Sequence, residues 1–203
     1  MCAPCLAAAR PATPAPPPPG VTAWSAAFAY DGVVREWIAG AKYHGAHAAL
    51  GPLAVAAARA WATGPGATLP TAPVVVTWVP TVVARRRNRG FDHARLLARG
   101  VARDLGLPTA ALLGRAPADP GDAQTTRPVA ARHVGPVVRV RRTGWAARVG
   151  RGPVLLVDDV ATTGASVRVC AAALLAAGVP AVMACTVART APDRAVAVPM
   201  LRA

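Results

Sequence analysis

Negative charge is scarce in this chain: nine Asp and Glu stand against 23 Lys and Arg in 203 residues, a formal net charge of +14. Such a balance points to an anionic partner, either nucleic acid or a phosphate-rich small molecule. Lysine is scarcer still. Lys42 is the sole lysine, and the other basic residues are arginines in a chain that also holds 21 Pro and 18 Gly. That pattern reads as a coding bias that inflates arginine everywhere, so the local placement of charge carries more than its total. Cysteine is limited to Cys2, Cys5, Cys170 and Cys185. The N-terminus lacks the basic flank and continuous apolar region of a signal peptide, so no secretory disulfide framework is expected and a cytoplasmic location is. One uncharged run, residues 169–188, has the length of a bilayer span, but Gly178 and Pro180 divide it. It reads as a helix followed by a buried strand, with no membrane span. No internal repeat is visible.

Residues 1–20 (MCAPCLAAARPATPAPPPPG) form a cysteine-bearing head and a proline-rich tether, and a folded body runs from 21 to 203. Between Val21 and Trp61 the apolar spacing suits two helical segments, or a strand and helices. The run Val74 to Val79, β-branched and bounded by Pro73 and Pro80, predicts a buried strand. A basic loop follows, TVVARRRNRG. Ala94, Leu97, Val101 and Leu105 then mark one face of a helix over Phe91–Leu105, closed by Gly106 and Pro108. Ala110–Leu113 reads as the next strand and residues 114–136 as a long loop. VLLVDDV (strand), SVRVCAAALLAAG (helix closed by Gly178) and AVMACTVA (strand) complete the chain. Strands alternating with helices predict an α/β fold, a parallel sheet flanked by helices.

The stretch VLLVDDVATTGAS, residues 154–166, places two of the few carboxylates at the end of an apolar strand. In parallel sheets ligands gather beyond the carboxyl ends of the strands. Small residues and Gly164 let several backbone N–H groups converge on one anion, and the helix that follows adds its positive end. Thr162, Thr163 and Ser166 supply hydroxyls, one of which is expected to cap the helix. Asp158 and Asp159 cannot hold phosphate themselves, but carboxylates accept from vicinal sugar hydroxyls or hold a hard divalent cation. The combination suits a sugar phosphate.

VLLVDDVATTGAS resembles the 5-phosphoribosyl-1-pyrophosphate motif of type I phosphoribosyltransferases. With AYDGVVREWIAGAKYHG, VPTVVARRRNRGFDHARLLA and QTTRPVAARH in this order, the chain is similar over most of residues 28–190 to the ComF family, the amidophosphoribosyltransferase-like proteins linked to DNA uptake in competent bacteria. The resemblance implies that Asp158 and Asp159 bind the ribose 2′- and 3′-hydroxyls, directly or around Mg²⁺. Ala161, Thr162, Thr163, Gly164 and Ala165, with Ser166, would wrap the 5-phosphate. Val79, Pro80 and Thr81 match the pyrophosphate loop, with Arg85, Arg86, Arg87 and Arg89 close to the pyrophosphate, where guanidinium forks make bidentate contacts. The loop at 114–136 corresponds to the mobile loop of the superfamily, with Gln124, Arg127 and Arg132 as its polar candidates. Lys42 falls in the matched N-terminal segment. The histidines His44, His47, His93 and His133 are expected at the surface or in local hydrogen bonds.

The implied reaction transfers the phosphoribosyl group of phosphoribosyl pyrophosphate to an unidentified nitrogenous acceptor, releasing pyrophosphate. No residue stands out as a general base. Thr162 occupies the place where purine-salvage relatives carry a carboxylate, which argues against purine bases as acceptors. Cys2 and Cys5 have the CxxC spacing of a zinc knuckle, but the second pair common in the family is missing. Cys170 and Cys185 read as core thiols, so a Zn²⁺ site would be incomplete within one chain. A second reading keeps the fold as a non-catalytic ligand sensor that binds single-stranded DNA or competence proteins through the basic loop. A second copy of the chain, as a homodimer, is also among the expected partners.

Overall fold

A computed structural model describes residues 3–43, 47–81, 92–115, 138–141 and 152–190. A short helix α1 (Ala3–Ala8) precedes strand β1 (Ala23–Ala29), helix α2 (Gly32–Tyr43), a 3₁₀ turn (His47–Ala49), α3 (Leu50–Thr63) and the single turn α4 (Pro65–Thr68). Then come β2 (Val75–Trp78), α5 (His93–Asp104), β3 (Leu113–Arg115), β4 (Val138–Val140), β5 (Val154–Ala161), α6 (Ala165–Ala176) and β6 (Val182–Arg189). The α/β expectation holds: four strands in the order β1-β6-β5-β2 are all parallel. Between Val21 and Trp61 the strand-and-helices alternative is the one that forms.

The period of two along each strand builds two cores, one on each sheet face. In β5, Leu155 and Val157 join Leu53, Ala57 and Trp61 of α3 and Leu97 and Val101 of α5. Val154 and Leu156 join Val167, Cys170, Ala171 and Leu174 of α6 on the other face. Each fully buried Leu or Val side chain of this kind contributes about 1.5–3 kcal/mol. Helices α3 and α5 approach so closely that a Cβ on Gly100 would lie 2.5 Å from Ala54 Cβ, which is why the α5 face carries glycine there.

The helix predicted over Phe91–Leu105 begins at His93, because Asp92 caps it by accepting from Arg95 N at 3.3 Å. Phe91 lies outside the described residues. The strand expected at Ala110–Leu113 forms differently. Residues 108–110 pair with Val76 at the outer edge of β2, through Val76 N to Pro108 O and Ala110 N to Val76 O. The chain then turns away, and Leu113–Arg115 pairs antiparallel with β4. Arg115, assigned from sequence to the long loop, therefore ends a strand. At the opposite edge the proline-rich segment lies along β1, with Pro11 bridging Phe28, and Arg189 Nε donates to Thr13 O at 2.9 Å. Sheet edges covered in this way present fewer unpaired backbone groups. Among the described residues no helix is long and apolar enough to cross a membrane. Residues 169–188 divide into helix and strand at Gly178, whose φ is +93°.

Candidate functional site

The carboxyl end of β5 carries Asp158 and Asp159 on consecutive positions, so strand geometry sends their side chains to opposite faces. Asp159 follows Leu155 and Val157 toward α2 and α5. There Lys42, in the last turn of α2, donates through Nζ to Asp159 Oδ1 at 2.7 Å. His93 Nε2, on the first residue of α5, lies 2.5 Å from Oδ2. Asp159 and His93 are both buried. Burial opposes the charge on Asp159, but the hydrogen bond and charge of His93 and the charge of Lys42 outweigh it and hold the carboxyl below its ordinary range. His93 was expected at the surface or in a local bond, and that expectation is corrected: it reaches a partner 66 residues away.

Asp158 follows Val154 and Leu156 toward α6 and remains partly exposed. Its Oδ1 accepts from the Asp159 amide at 2.9 Å. Enclosure by surrounding protein, then the neighbouring charge of Asp159, push its pKa well above the usual carboxylate range. The Asp159 amide, Lys42 and Arg115 offset this in part. Arg115 also donates from Nε to Pro80 O at 3.2 Å, tying the end of β3 to the turn after β2.

Beyond Asp158 the chain forms a small cup of about 50 Å³, lined by Asp158, Val160, Ala161, Thr162, Thr163, Gly164, Ala165, Ser166 and Val167. Gly164 adopts φ +71°, a left-handed conformation that costs other L-residues about 1–2 kcal/mol. A Cβ there would also come within 3.0 Å of Pro18 Cγ. Gly164 is itself the N-cap of α6, and no side chain caps that helix. The hydroxyl cap expected from Thr162, Thr163 or Ser166 is thus corrected: the N-cap position falls on Gly164, which has no side chain to accept from the first turn. Thr163 Oγ1 instead accepts a long bond, 3.4 Å, from Ala165 N. Thr162 and Thr163 are exposed at the rim, with Ser166 partly buried. Thr190 fixes the rim from β6, its amide on Ala161 O and its hydroxyl on Thr162 O, both at 3.1 Å.

Amides in the first turn of a helix, with hydroxyl neighbours and positive helix-end potential, are groups that can receive an anion. Val79, Pro80 and Thr81 follow β2 next to β5, where Val79 N donates to Val157 O at 3.0 Å. Thr81 Oγ1 donates to Asp92 Oδ1 at 3.1 Å, which orients the turn against α5. Arg85, Arg86, Arg87, Arg89, Gln124, Arg127, Arg132, His44, His133 and Cys2 lie outside the described residues. Cys170 and Cys185 are fully buried, and burial pushes both thiols up to about 12. The described cysteines form no disulfide.

A divalent cation bridging the acidic pair needs an open oxygen from each carboxylate turned to one point. Asp158 and Asp159 diverge across the sheet, and both oxygens of Asp159 are engaged. No group of three His, Cys, Asp or Glu among the described residues could hold a metal ion. The described residues do not fit a metal held between the two carboxylates.

Sequence reasoning gave Lys42, the sole lysine, a functional reading beside that of a surface residue but no partner, and did not place His93, Arg115 or Thr190 in the site. The signals were Lys42 as the single lysine, His93 directly after a capping aspartate, and the alternation along β5, which divides the acidic pair.

No family model matches the chain, and no curated protein matches it. Among the solved structures similar to it is one described as the allosteric regulatory enzyme of purine biosynthesis, at 21% identity with a TM-score of 0.42. The likeness covers 68% of this chain and 24% of that one, so the chain spans less than two thirds of that structure's length.

Proposed function

We propose that the chain is a phosphoribosyltransferase-type domain that binds 5-phosphoribosyl-1-pyrophosphate, in line with the resemblance of its motifs to the ComF family. The observation that carries this reading is the uncapped N-terminus of α6 behind the Thr162–Ser166 cup, one turn from Asp158. The cup takes the 5-phosphate through backbone amides and the hydroxyls of Thr162, Thr163 and Ser166. Asp158 accepts from a ribose hydroxyl, and the Val79–Thr81 turn faces the pyrophosphate side. Mg²⁺ carried by the pyrophosphate rather than held between Asp158 and Asp159 would supply charge neutralisation on the leaving group. The transferred group goes to a nitrogenous acceptor.

Calorimetry and thermal shift with phosphoribosyl pyrophosphate and Mg²⁺ test this reading. Heat on titration and a raised Tm are expected; neither at ligand on the order of 1 mM, about −4 kcal/mol of binding, removes it. Single-stranded DNA binding rests on Arg85–Arg89 alone. Gel shift across a salt series distinguishes it, because phosphate neutralisation gives a steep loss of affinity with salt.

A further inference from the structure

Asp159 has two carboxylate oxygens, and the chain itself occupies both. Lys42 Nζ lies 2.7 Å from one and His93 Nε2 2.5 Å from the other, with side-chain exposures of only 18% for Lys42, 7% for His93 and 10% for Asp159. Beside them is a crevice of about 10 Å³ walled by Ile38, Ala41, Leu50, Leu53, Leu97 and Val187. A space of that size holds about one water molecule, and its apolar walls offer no oxygen ligands. A divalent cation approaching on this face would have to shed its hydration shell. It would also have to displace an ammonium group already matched to the carboxylate at low local dielectric.

We infer that Lys42 is a built-in cation that closes Asp159 to divalent metal and to sugar hydroxyls, leaving Asp158 as the only carboxylate of the pair that meets a ligand. Lys42 and His93 are positioning residues: they fix the end of β5, and through it the Asp159 amide that orients Asp158 Oδ1 at 2.9 Å. The site consequently selects ligands that need one carboxylate acceptor beside an anion cup and bring any divalent cation with them. The ligand part of this inference rests on the sugar-phosphate reading, whereas its metal part stands apart from any sugar.

Thermal unfolding of the full chain in MgCl₂, against NaCl at matched ionic strength, tests the metal part. The wild-type Tm is expected to be the same in both salts. Lys42→Asp, which exchanges the ammonium for an oxygen ligand facing Asp159, should unfold at a lower temperature and regain part of the loss as Mg²⁺ rises, in the concentration-dependent manner of a ligand that binds only the native state. A Mg²⁺-specific rise in the wild type that disappears in Asp159→Asn would overturn the inference, as would a folded Lys42→Asp indifferent to Mg²⁺. Should Lys42→Asp fail to fold, wild type against Asp159→Asn decides alone: equal indifference to Mg²⁺ supports the inference, and a shift confined to the wild type overturns it. Titration with ribose 5-phosphate, with and without EDTA, separates the two readings. Absence of binding in both arms removes the sugar-phosphate reading and leaves the metal arm readable; binding that EDTA weakens tenfold or more in the wild type but not in Asp159→Asn contradicts the built-in cation.

Discussion

The two faces at the end of β5 differ in kind although consecutive residues define them. On one face Asp159 is buried, paired and held charged by Lys42 and His93. On the other, Asp158 is partly exposed, enclosed enough to resist ionisation, and turned toward a cup of uncapped amides and hydroxyls. A paired, buried carboxylate supports structure, because removing its partner leaves a charge without compensation. A carboxylate with an unfavourable ionised form and an open oxygen is a cost to the folded state, of the kind found where a site awaits its ligand.

Lys42→Met should show the largest effect, a loss of about 3 kcal/mol, toward the low end for breaking a buried pair because His93 remains. For a chain of this size that is a Tm decrease of about 6–12 °C, measurable by calorimetry. Lys42→Met/Asp159→Asn should recover most of it; a double variant as unstable as the single would assign the loss to packing of the lysine stem instead. Gly164→Ala comes next. The left-handed φ predicts a loss of about 1–2 kcal/mol, together with weakened phosphate affinity as the new methyl presses on Pro18. Unchanged affinity in that variant would place the anion elsewhere.

Asp158→Asn should instead stabilise the protein at neutral pH, by on the order of 1 kcal/mol. The sign follows from the raised pKa: between the unfolded value near ~4 and its higher folded value, the native state holds a proton that the unfolded state has released, so stability falls as pH rises through that window. The advantage of the variant should therefore vanish below about pH 4. Asp159 behaves oppositely. Its depressed pKa contributes stability that is present above the unfolded value and lost as pH falls through the folded one. Tm against pH for the two Asn variants should give slopes of opposite sign, and parallel slopes would contradict the division between the faces. The smallest effect is an absence of reaction. In a Cys2→Ser/Cys5→Ser background, a thiol reagent at about pH 8 should leave native Cys170 and Cys185 unmodified, since the thiolate is the reacting species and both titrate at about 12.

Much of this arrangement was legible in the residues. The β-branched run at 74–79, the apolar run at 154–157 and the Gly178 break located strands and a helix because local patterning and burial agree there. Gly164 in ATTGAS marked the turn between β5 and α6, since a left-handed residue at a strand-to-helix junction is a local requirement. The divergence of Asp158 and Asp159 was missed: the two were read together as one ligand set, although strand alternation sends consecutive side chains to opposite faces. What single residues could not show were the partnerships across the fold: Lys42 meets Asp159 across 117 positions and His93 across 66. Leu113–Arg115 escaped for a similar reason, because its strand exists only through pairing with Val138–Val140.

The most direct measurement is calorimetric titration of ribose 5-phosphate into wild type, Asp158→Asn and Lys42→Met under one set of conditions. The account predicts binding to the wild type, at least a tenfold weaker Kd for Asp158→Asn, which loses the contact itself, and a smaller weakening for Lys42→Met, which acts on Asp158 only through β5. No binding to the wild type, or equal losses in the two variants, would contradict it.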